Sequence, residues 1–430
     1  MLIYQILGKL AYSEVIFTLE NKDYERKKLS SEALYNHYTE KNQNIENIIL
    51  LKPESLITNN SSTSIIDNNI VDVKAKERTE IIPIQAVGTY NNIRYNGTPT
   101  NISLQIFADM IRRSIDKNCT EIIIDLSTGY NLYVLSLFEA ARFYTTYMRL
   151  LSNNDRHFVS YAISEHVLSA NVKYKIYVEK LQTRTTFDLP EYHSLTDCIE
   201  TNDDNKEIIG RKFSCINTRL KKIYANLRLA YNAIIYNTPL FLFSNCIDSG
   251  DESNNRKIVM DLCNFLDEIL KDWKDIELKR SLYNLFLIVA MHNGIRYMLK
   301  DLVNKIDDVQ LDNLKKFKSI YENLNLNLNW RLLDNAISEI ECYKGCIPEE
   351  WKSYKEIMKS RLSNKALREG VENLLDDRNN RMKQSNSKRN FFAHAGLSYD
   401  TLQLRLDNGN ILCRYDKEKI KEIQEWIKKP

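Results

Sequence analysis

The strongest constraint on fold is a change of rhythm part-way along the chain. As far as Leu189-Pro190, short apolar runs alternate with stretches whose apolar residues recur at helical spacing. Residues 2–7, 14–19, 45–51, 81–87, 121–126, 158–163 and 174–178 read as strands. Residues 31–38, 65–78, 102–115 and 133–151 read as helices, with Ser30 or Ser31 a fitting cap for the first. Strands that alternate with helices build an α/β domain around a mostly parallel sheet. Beyond Leu189-Pro190 the short runs stop, and Thr201-Asn202-Asp203-Asp204-Asn205 makes a polar break. The expected division is therefore an N-terminal domain over 1–190, a linker over 191–205 and a helical region over 206–430.

A chain of 430 residues is long enough for two or three domains. Its 43% hydrophobic and 27% charged residues are those of an ordinary globular protein, and only 11 Gly and 7 Pro favour long regular elements. A formal net charge of +3 means that any nucleic-acid contact must come from a local patch. The eight cysteines are scattered, and Cys342 and Cys346 lack a second pair, so buried free thiols in a reducing compartment are expected, and no zinc or disulfide. The first residues carry no basic leader and no apolar run reaches membrane length, so a cytoplasmic location and no membrane partner are expected.

Open parallel sheets bind ligands beyond the C-terminal ends of their strands. Three polar loops fall there. Gly8-Lys9 closes the first strand. Tyr95-Asn96-Gly97-Thr98-Pro99-Thr100 precedes a helix. Asp125-Leu126-Ser127-Thr128-Gly129-Tyr130-Asn131 leaves the most apolar strand and enters another helix. Hydroxyls, a glycine and an asparagine at a helix N-terminus suit an anion. The same residues also make good turns, and for Gly8, Lys9, Asn96, Gly97 and Thr98 the two readings weigh equally. Neither G-x-G-x-x-G nor a P-loop is present, which argues against a dinucleotide or NTP site.

In the second half, residues 206–236, 256–273, 276–303, 312–324 and 330–343 read as helices, and Leu367, Val371, Leu374, Leu375, Arg378 and Met382 follow helical spacing. His292 lies in an apolar stretch and reads as a core or interface histidine. Of the six histidines only His394 has a motif around it, Lys388-Arg389-Asn390-Phe391-Phe392-Ala393-His394-Ala395-Gly396-Leu397. Between Arg378 and His394 there are five basic residues, Arg378, Arg381, Lys383, Lys388 and Arg389, and no acid, a patch suited to phosphate. Arginine holds a phosphate at any biological pH, and histidine exchanges a proton near neutrality. Strands over 401–406 and 411–415 flank the hairpin turn Asp407-Asn408-Gly409-Asn410, and 417–427 closes with an amphipathic helix.

Two resemblances cover these ends. Glu121-Ile122-Ile123-Ile124-Asp125-Leu126-Ser127-Thr128-Gly129-Tyr130-Asn131, with Ile48-Ile49-Leu50-Leu51-Lys52-Pro53-Glu54-Ser55-Leu56, resembles CARF domains, the Rossmann-like sensors of cyclic oligoadenylate in type III CRISPR systems. The tail, including Gly396-Leu397-Ser398 and the hairpin, resembles the HEPN ribonuclease domain of the same effectors, whose pattern of Arg, polar residue and His is matched by Arg389, Asn390 and His394. The resemblance implies an α/β Rossmann-like sensor followed by an all-α HEPN-type domain with a small β-hairpin insertion. It implies a CRISPR antiviral endoribonuclease, needing neither cofactor nor metal, that acts on single-stranded RNA and leaves 2′,3′-cyclic phosphate. Cyclic tetra-adenylate would be its allosteric activator, held by Gly8, Lys9, Asn96, Gly97, Thr98, Ser127, Thr128, Gly129 and Asn131 across a homodimer. Arg381, Lys383 and Lys388 would hold RNA. Many relatives carry histidine where Thr128 stands. Two other readings stay open: a nucleotide-sensing regulator with a helical DNA-binding or scaffolding region, and a HEPN toxin without an activator.

Overall fold

Every residue of the first strand, Leu2 to Ile6, is buried, and a strand covered on both faces belongs inside a layered sheet. The computed structural model describes residues 1–9, 12–57, 77–117, 121–151, 158–169, 172–183, 186–244, 252–273, 276–300, 302, 308–369 and 387–430. Most of the helix expected over 65–78 and most of the helical spacing between Leu367 and Met382 lie outside the described residues. The first part of the chain runs β1 (Leu2–Ile6), β2 (Val15–Leu19), β3 (Lys22–Lys27), α1 (Ser30–Glu40), β4 (Asn47–Pro53), β5 (Thr79–Ile84), β6 (Val87–Tyr90) and β7 (Ile93–Asn96). It continues through α2 (Pro99–Lys117), β8 (Glu121–Asp125), α3 (Asn131–Leu151), β9 (Phe158–Ser164) and β10 (Lys173–Lys180).

Eight strands form one sheet in the order β3-β2-β10-β9-β8-β1-β4-β5. Strand β1 pairs in parallel with both β4 and β8, and parallel pairing continues from β4 to β5 and from β8 to β9. Only β9–β10 and β2–β3 are antiparallel. The mostly parallel α/β sheet is therefore as the strand–helix alternation requires. After laying β2 and β3 at the far edge, the chain returns through α1 to place β4 on one side of β1 and later places β8 on the other. The C-terminal ends of β1 and β8 thus flank the point where strand order reverses, the ligand crevice of open sheets. Helix α3 lies on this sheet by a stripe of Tyr133, Leu137, Ala140, Ala141, Tyr144 and Met148 at helical spacing.

Helix α1 departs from expectation at its start. Leu29 is its N-cap, and the Glu32 carboxylate accepts hydrogen bonds from the backbone N–H of Lys28 at 2.9 Å and of Leu29 at 3.2 Å. Neither Ser30 nor Ser31 caps the helix, because both hydroxyls turn inward to polar partners described below. Strand β3 was not expected, and neither was the β6–β7 hairpin, whose turn residues Asn91 and Asn92 have φ of 49° and 64°.

The later elements are β11 (Ile199–Glu200), α4 (Asp203–Lys212), α5 (Ser214–Ile235), α6 (Pro239–Ser244), α7 (Glu252–Asp272), β12 (Glu277–Leu278), α8 (Ser281–Leu299), β13 (Val309–Gln310) and α9 (Phe317–Asn323). They end with α10 (Asn327–Glu341), β14 (Lys352–Ser353), α11 (Tyr354–Glu369), α12 (Ser387–Ala393), β15 (Leu402–Asp407), β16 (Asn410–Tyr415) and α13 (Ile420–Lys428). The single helix expected over 206–236 is broken at Phe213 into α4 and α5. The expected 312–324 helix opens as a 3-10 turn, Leu311–Lys316.

By their contacts, residues 1–186, 190–221 and 252–291 form one compact unit, and 187–189, 222–251 and 292–430 form the other. The first unit has an aromatic cluster outside its sheet, where Phe107 meets Phe143, Tyr147, Tyr283 and Phe286 edge-on and Phe143 stacks on Tyr283 at 4.1 Å. The second unit is helical with a small antiparallel sheet, β13-β16-β15-β14, built on the expected hairpin. Of the described cysteines, Cys198, Cys263 and Cys413 are buried as expected, but Cys215, Cys342 and Cys346 are exposed. His292 is buried, as its apolar neighbours in the sequence imply. Among the described residues no helix is long and apolar enough to cross a membrane.

Candidate functional site

The loops after β1 and β8 are held together from beneath by a buried polar network. Gln5 in β1 donates through Nε2 to Ser30 Oγ and to Thr128 Oγ1, both at 3.0 Å, and its Oε1 accepts from the Ser31 hydroxyl. Ser30 in turn donates to Asp125 Oδ2 at 2.6 Å. The other Asp125 oxygen accepts from the backbone N–H of Ser127 at 3.0 Å. Asp125 is fully buried, and burial pushes its carboxyl above the ordinary carboxylate pKa against the pull of these donors. Thr128 Oγ1 donates to the Ile6 carbonyl at 2.6 Å, and Ser127 Oγ accepts from the Ser164 backbone N–H at 2.8 Å. The two hydroxyls expected to face a ligand are thus committed to fixing the loop.

Glycine is required where these loops touch. A Cβ on Gly8 would lie 2.9 Å from Gly129 Cα, and one on Gly129 would lie 2.7 Å from Ile6 Cγ2. Gly129 also has φ of +111°, in the region that L side chains avoid. The backbone N–H groups of Gly8 and Lys9 donate to Tyr12 Oη at 2.8 and 3.3 Å, and the Lys9 ammonium lies 5.2 Å from the Tyr12 ring centroid. Lys9, Tyr130 and Asn131 are exposed around this point. A cation, a phenol and the N-terminus of α3 therefore border the switch point, a setting that favours an anionic ligand.

The Asn96 loop has a firmer structural role. Gly97 donates its N–H to the Ala86 carbonyl at 3.0 Å, and a Cβ there would approach that oxygen to 2.5 Å. Thr98 Oγ1 accepts from the Asn101 N–H at 3.1 Å, capping α2, whose first residue is Pro99. Asn96 itself is exposed.

In the second unit, α12 carries Lys388, Arg389 and Asn390 and ends at Ala393. The helix stops because the chain turns left-handed at Ala395 (φ 52°) and Gly396 (φ 74°). Gly396 N–H donates to the Phe391 carbonyl at 2.8 Å and Ala395 N–H to Phe392 at 3.3 Å, which makes a Schellman motif with His394 at the C-cap. Phe391 is buried and anchors the helix on Tyr415 and Trp426. Arg389 is exposed, and Asn390 donates through Nδ2 to Tyr399 Oη at 3.2 Å. Beside them, Lys355 donates to Asp400 at 2.8 Å and lies 5.8 Å from the Tyr399 ring centroid.

His394 is 41% exposed, and its Nδ1 lies 3.7 Å from Glu339 Oε2 on α10. The Glu339 carboxylate raises the imidazole pKa above its ordinary value, against a smaller opposing effect of burial. The same pairing lowers the Glu339 carboxyl. Glu339 and Tyr399 were not among the candidates, because no sequence spacing relates them to the motif. Lys388 donates through Nζ to the Lys429 carbonyl. Arg381 and Lys383, the other expected RNA contacts, lie outside the described residues.

Two family models match the chain. Residues 2–165 match the CARF domain of the CRISPR system endoribonuclease Csx1, and residues 326–418 match its HEPN domain. Among solved structures, Enterococcus italicus Csm6 bound to cyclic hexa-2′-fluoro-hexa-dAMP is similar over 76% of this chain and 99% of that chain. Its identity is 10% and its TM-score 0.26, a superposition too loose to place any residue here. No curated protein matches the chain.

Proposed function

The chain belongs to the CARF–HEPN endoribonucleases of CRISPR systems, and we propose that Arg389, Asn390 and His394 form its RNA-cleaving site, activated by cyclic tetra-adenylate. The observation that carries this reading is the placement of the motif. Within the stretch matched to the HEPN domain, one short helix carries an exposed arginine in its first turn and a half-exposed histidine with raised proton affinity at its C-cap. The activator site is at Gly8, Lys9, Asn96, Gly97, Thr98, Ser127, Thr128, Gly129 and Asn131, with residues 1–190 acting as sensor and 206–430 as the region that ends in the nuclease.

The substrate is single-stranded RNA, and its own 2′-OH is the nucleophile. The O2′–P bond forms as the P–O5′ bond breaks, leaving a 2′,3′-cyclic phosphate and a 5′-OH. Arg389 stabilises the extra charge on the phosphorane. His394 positions or deprotonates the 2′-OH, or protonates the departing oxygen, and Asn390 orients the pair. Side chains supply both charge stabilisation and proton transfer, so the reaction runs without a metal. Residues five apart on a helix point about 140° away from each other, at roughly 100° per residue. Arg389 and His394 therefore act best when a two-fold partner brings a second copy of the pair, and the enzyme is a homodimer. Activator binding shifts that dimer to its competent geometry, a coupling between two distinct sites.

Analysis of the fragment ends tests the chemistry. Mass spectrometry should find 2′,3′-cyclic phosphate and 5′-OH termini in the presence of a chelator. Fragments with 3′-OH and 5′-phosphate ends would refute the proposed route.

A further inference from the structure

We propose that Glu339 is a positioning residue for the cleavage: it holds the His394 imidazole by Nδ1, so that Nε2 enters the reaction as a proton donor to the departing 5′-oxygen. This rests on the reading of His394 given above and adds a direction to it.

The backbone fixes both ends of the pair. Glu339 stands on α10, which is anchored by buried Leu333, Ala336, Ile337 and Ile340. His394 is pinned at the C-cap by the two Schellman hydrogen bonds. The 3.7 Å separation of Nδ1 and Oε2 is thus set by two anchored elements. A ring whose Nδ1 faces a carboxylate keeps its proton there and leaves Nε2 for substrate, the usual division of labour when a second group orients a histidine.

The other charged groups nearby have partners of their own, and the buried phenol beside them stays neutral. Tyr354, at the start of α11, is buried, and burial raises its phenol so that it stays neutral. Arg361 of α11 donates to the Cys342 carbonyl at 2.8 Å and lies over the Tyr343 ring. Lys355 pairs with Asp400 at 2.8 Å, and Tyr399 accepts from Asn390. On its own helix His394 has Lys388, which donates to the Lys429 carbonyl, and the exposed Arg389. Glu339 is the anion among these that raises the proton affinity of His394, and the helix C-terminus favours the same charge.

The step balances without a further reactant. As O2′–P forms and P–O5′ breaks, O5′ takes the Nε2 proton, the 2′-hydroxyl proton passes to water, and the neutral ring regains a proton from water.

The test is the pH profile of kcat for the full-length, activator-bound enzyme as wild type, Glu339→Gln and Glu339→Asp. The alkaline limb should move down by about one pH unit in Glu339→Gln, the size of one close opposite charge. At about pH 8 turnover should fall roughly ten-fold and at about pH 5.5 less than about three-fold, with KM unchanged and Glu339→Asp restoring most of the profile. A Glu339→Gln profile that overlays wild type would overturn the proposal. Proton NMR titration of the six histidine rings, with His394 identified from His394→Ala, reads the same pairing without turnover. A lower midpoint for His394 in Glu339→Gln is expected, and an unchanged midpoint counts against it. If His394→Ala cleaves like wild type, the assignment of the active site itself fails. If His394→Ala is inactive while Glu339→Gln is normal in both measurements, only the role of Glu339 fails.

Discussion

The loops around Ser127 and the motif around His394 are both polar clusters at the end of a regular element, yet they are built in opposite ways. Beneath the first, Gln5, Ser30, Asp125, Ser127 and Thr128 form a hydrogen-bonded network with Gln5, Ser30 and Asp125 buried, and Gly8 abuts Gly129 with no room for a side chain. Around the second, a half-exposed histidine faces one carboxylate across 3.7 Å and an asparagine makes one hydrogen bond to Tyr399. A buried network costs heavily if any member is left unpaired, so it holds one geometry. A half-exposed pair on two anchored elements keeps its place but leaves its outer edge open. The difference fits a receptor shaped before its ligand arrives, and a half-site completed by a partner.

That contrast can be broken at several points. His394→Ala should lower RNA turnover by about 10²–10⁴-fold, the usual worth of a positioned proton donor or acceptor, with melting temperature and activator binding unchanged. Gly129→Val places a branched side chain at φ +111° against Ile6, so the first unit should lose about 1–3 kcal/mol and the response to activator should vanish. Normal activation by that variant would mean the loop is not preset. Thr128→Val removes a hydroxyl that serves both Gln5 and Ile6. It should cost about 1–3 kcal/mol by calorimetry and weaken activator binding about ten-fold, leaving fully activated turnover near wild type. The smallest effect belongs to Lys388→Ala, which should weaken RNA binding a few-fold and lower the salt slope by about one.

The main sheet was legible because its inner strands are short apolar runs with few polar interruptions, as Glu121-Ile122-Ile123-Ile124 shows. Strand β3 was not. It is an edge strand, Lys-Asp-Tyr-Glu-Arg-Lys, in which only Tyr24 and Lys27 are buried, and such a composition reads as loop. The β6–β7 hairpin did carry a signal, the Asn91-Asn92 doublet, since asparagine tolerates the positive φ of a tight hairpin turn. Ser30 and Ser31 looked like caps because serine usually caps. Here a buried glutamine and a buried aspartate compete for their hydroxyls, and Glu32 reaches back to the helix start instead. The candidate nuclease motif was legible as Arg389, Asn390 and His394 because its members are close in sequence. Glu339 was not, since a tertiary contact between α10 and the end of α12 leaves no periodic trace.

The central claim is that a nuclease formed by Arg389 and His394 answers to a ligand in the loops of the first unit. It is tested most directly by cleavage of single-stranded RNA in EDTA, with and without cyclic tetra-adenylate, for wild type and His394→Ala. The expected result is cleavage by wild type only when the activator is present, and cleavage by His394→Ala slower by about 10²-fold or more. Cleavage that requires a metal, ignores the activator or survives the substitution undiminished would contradict it.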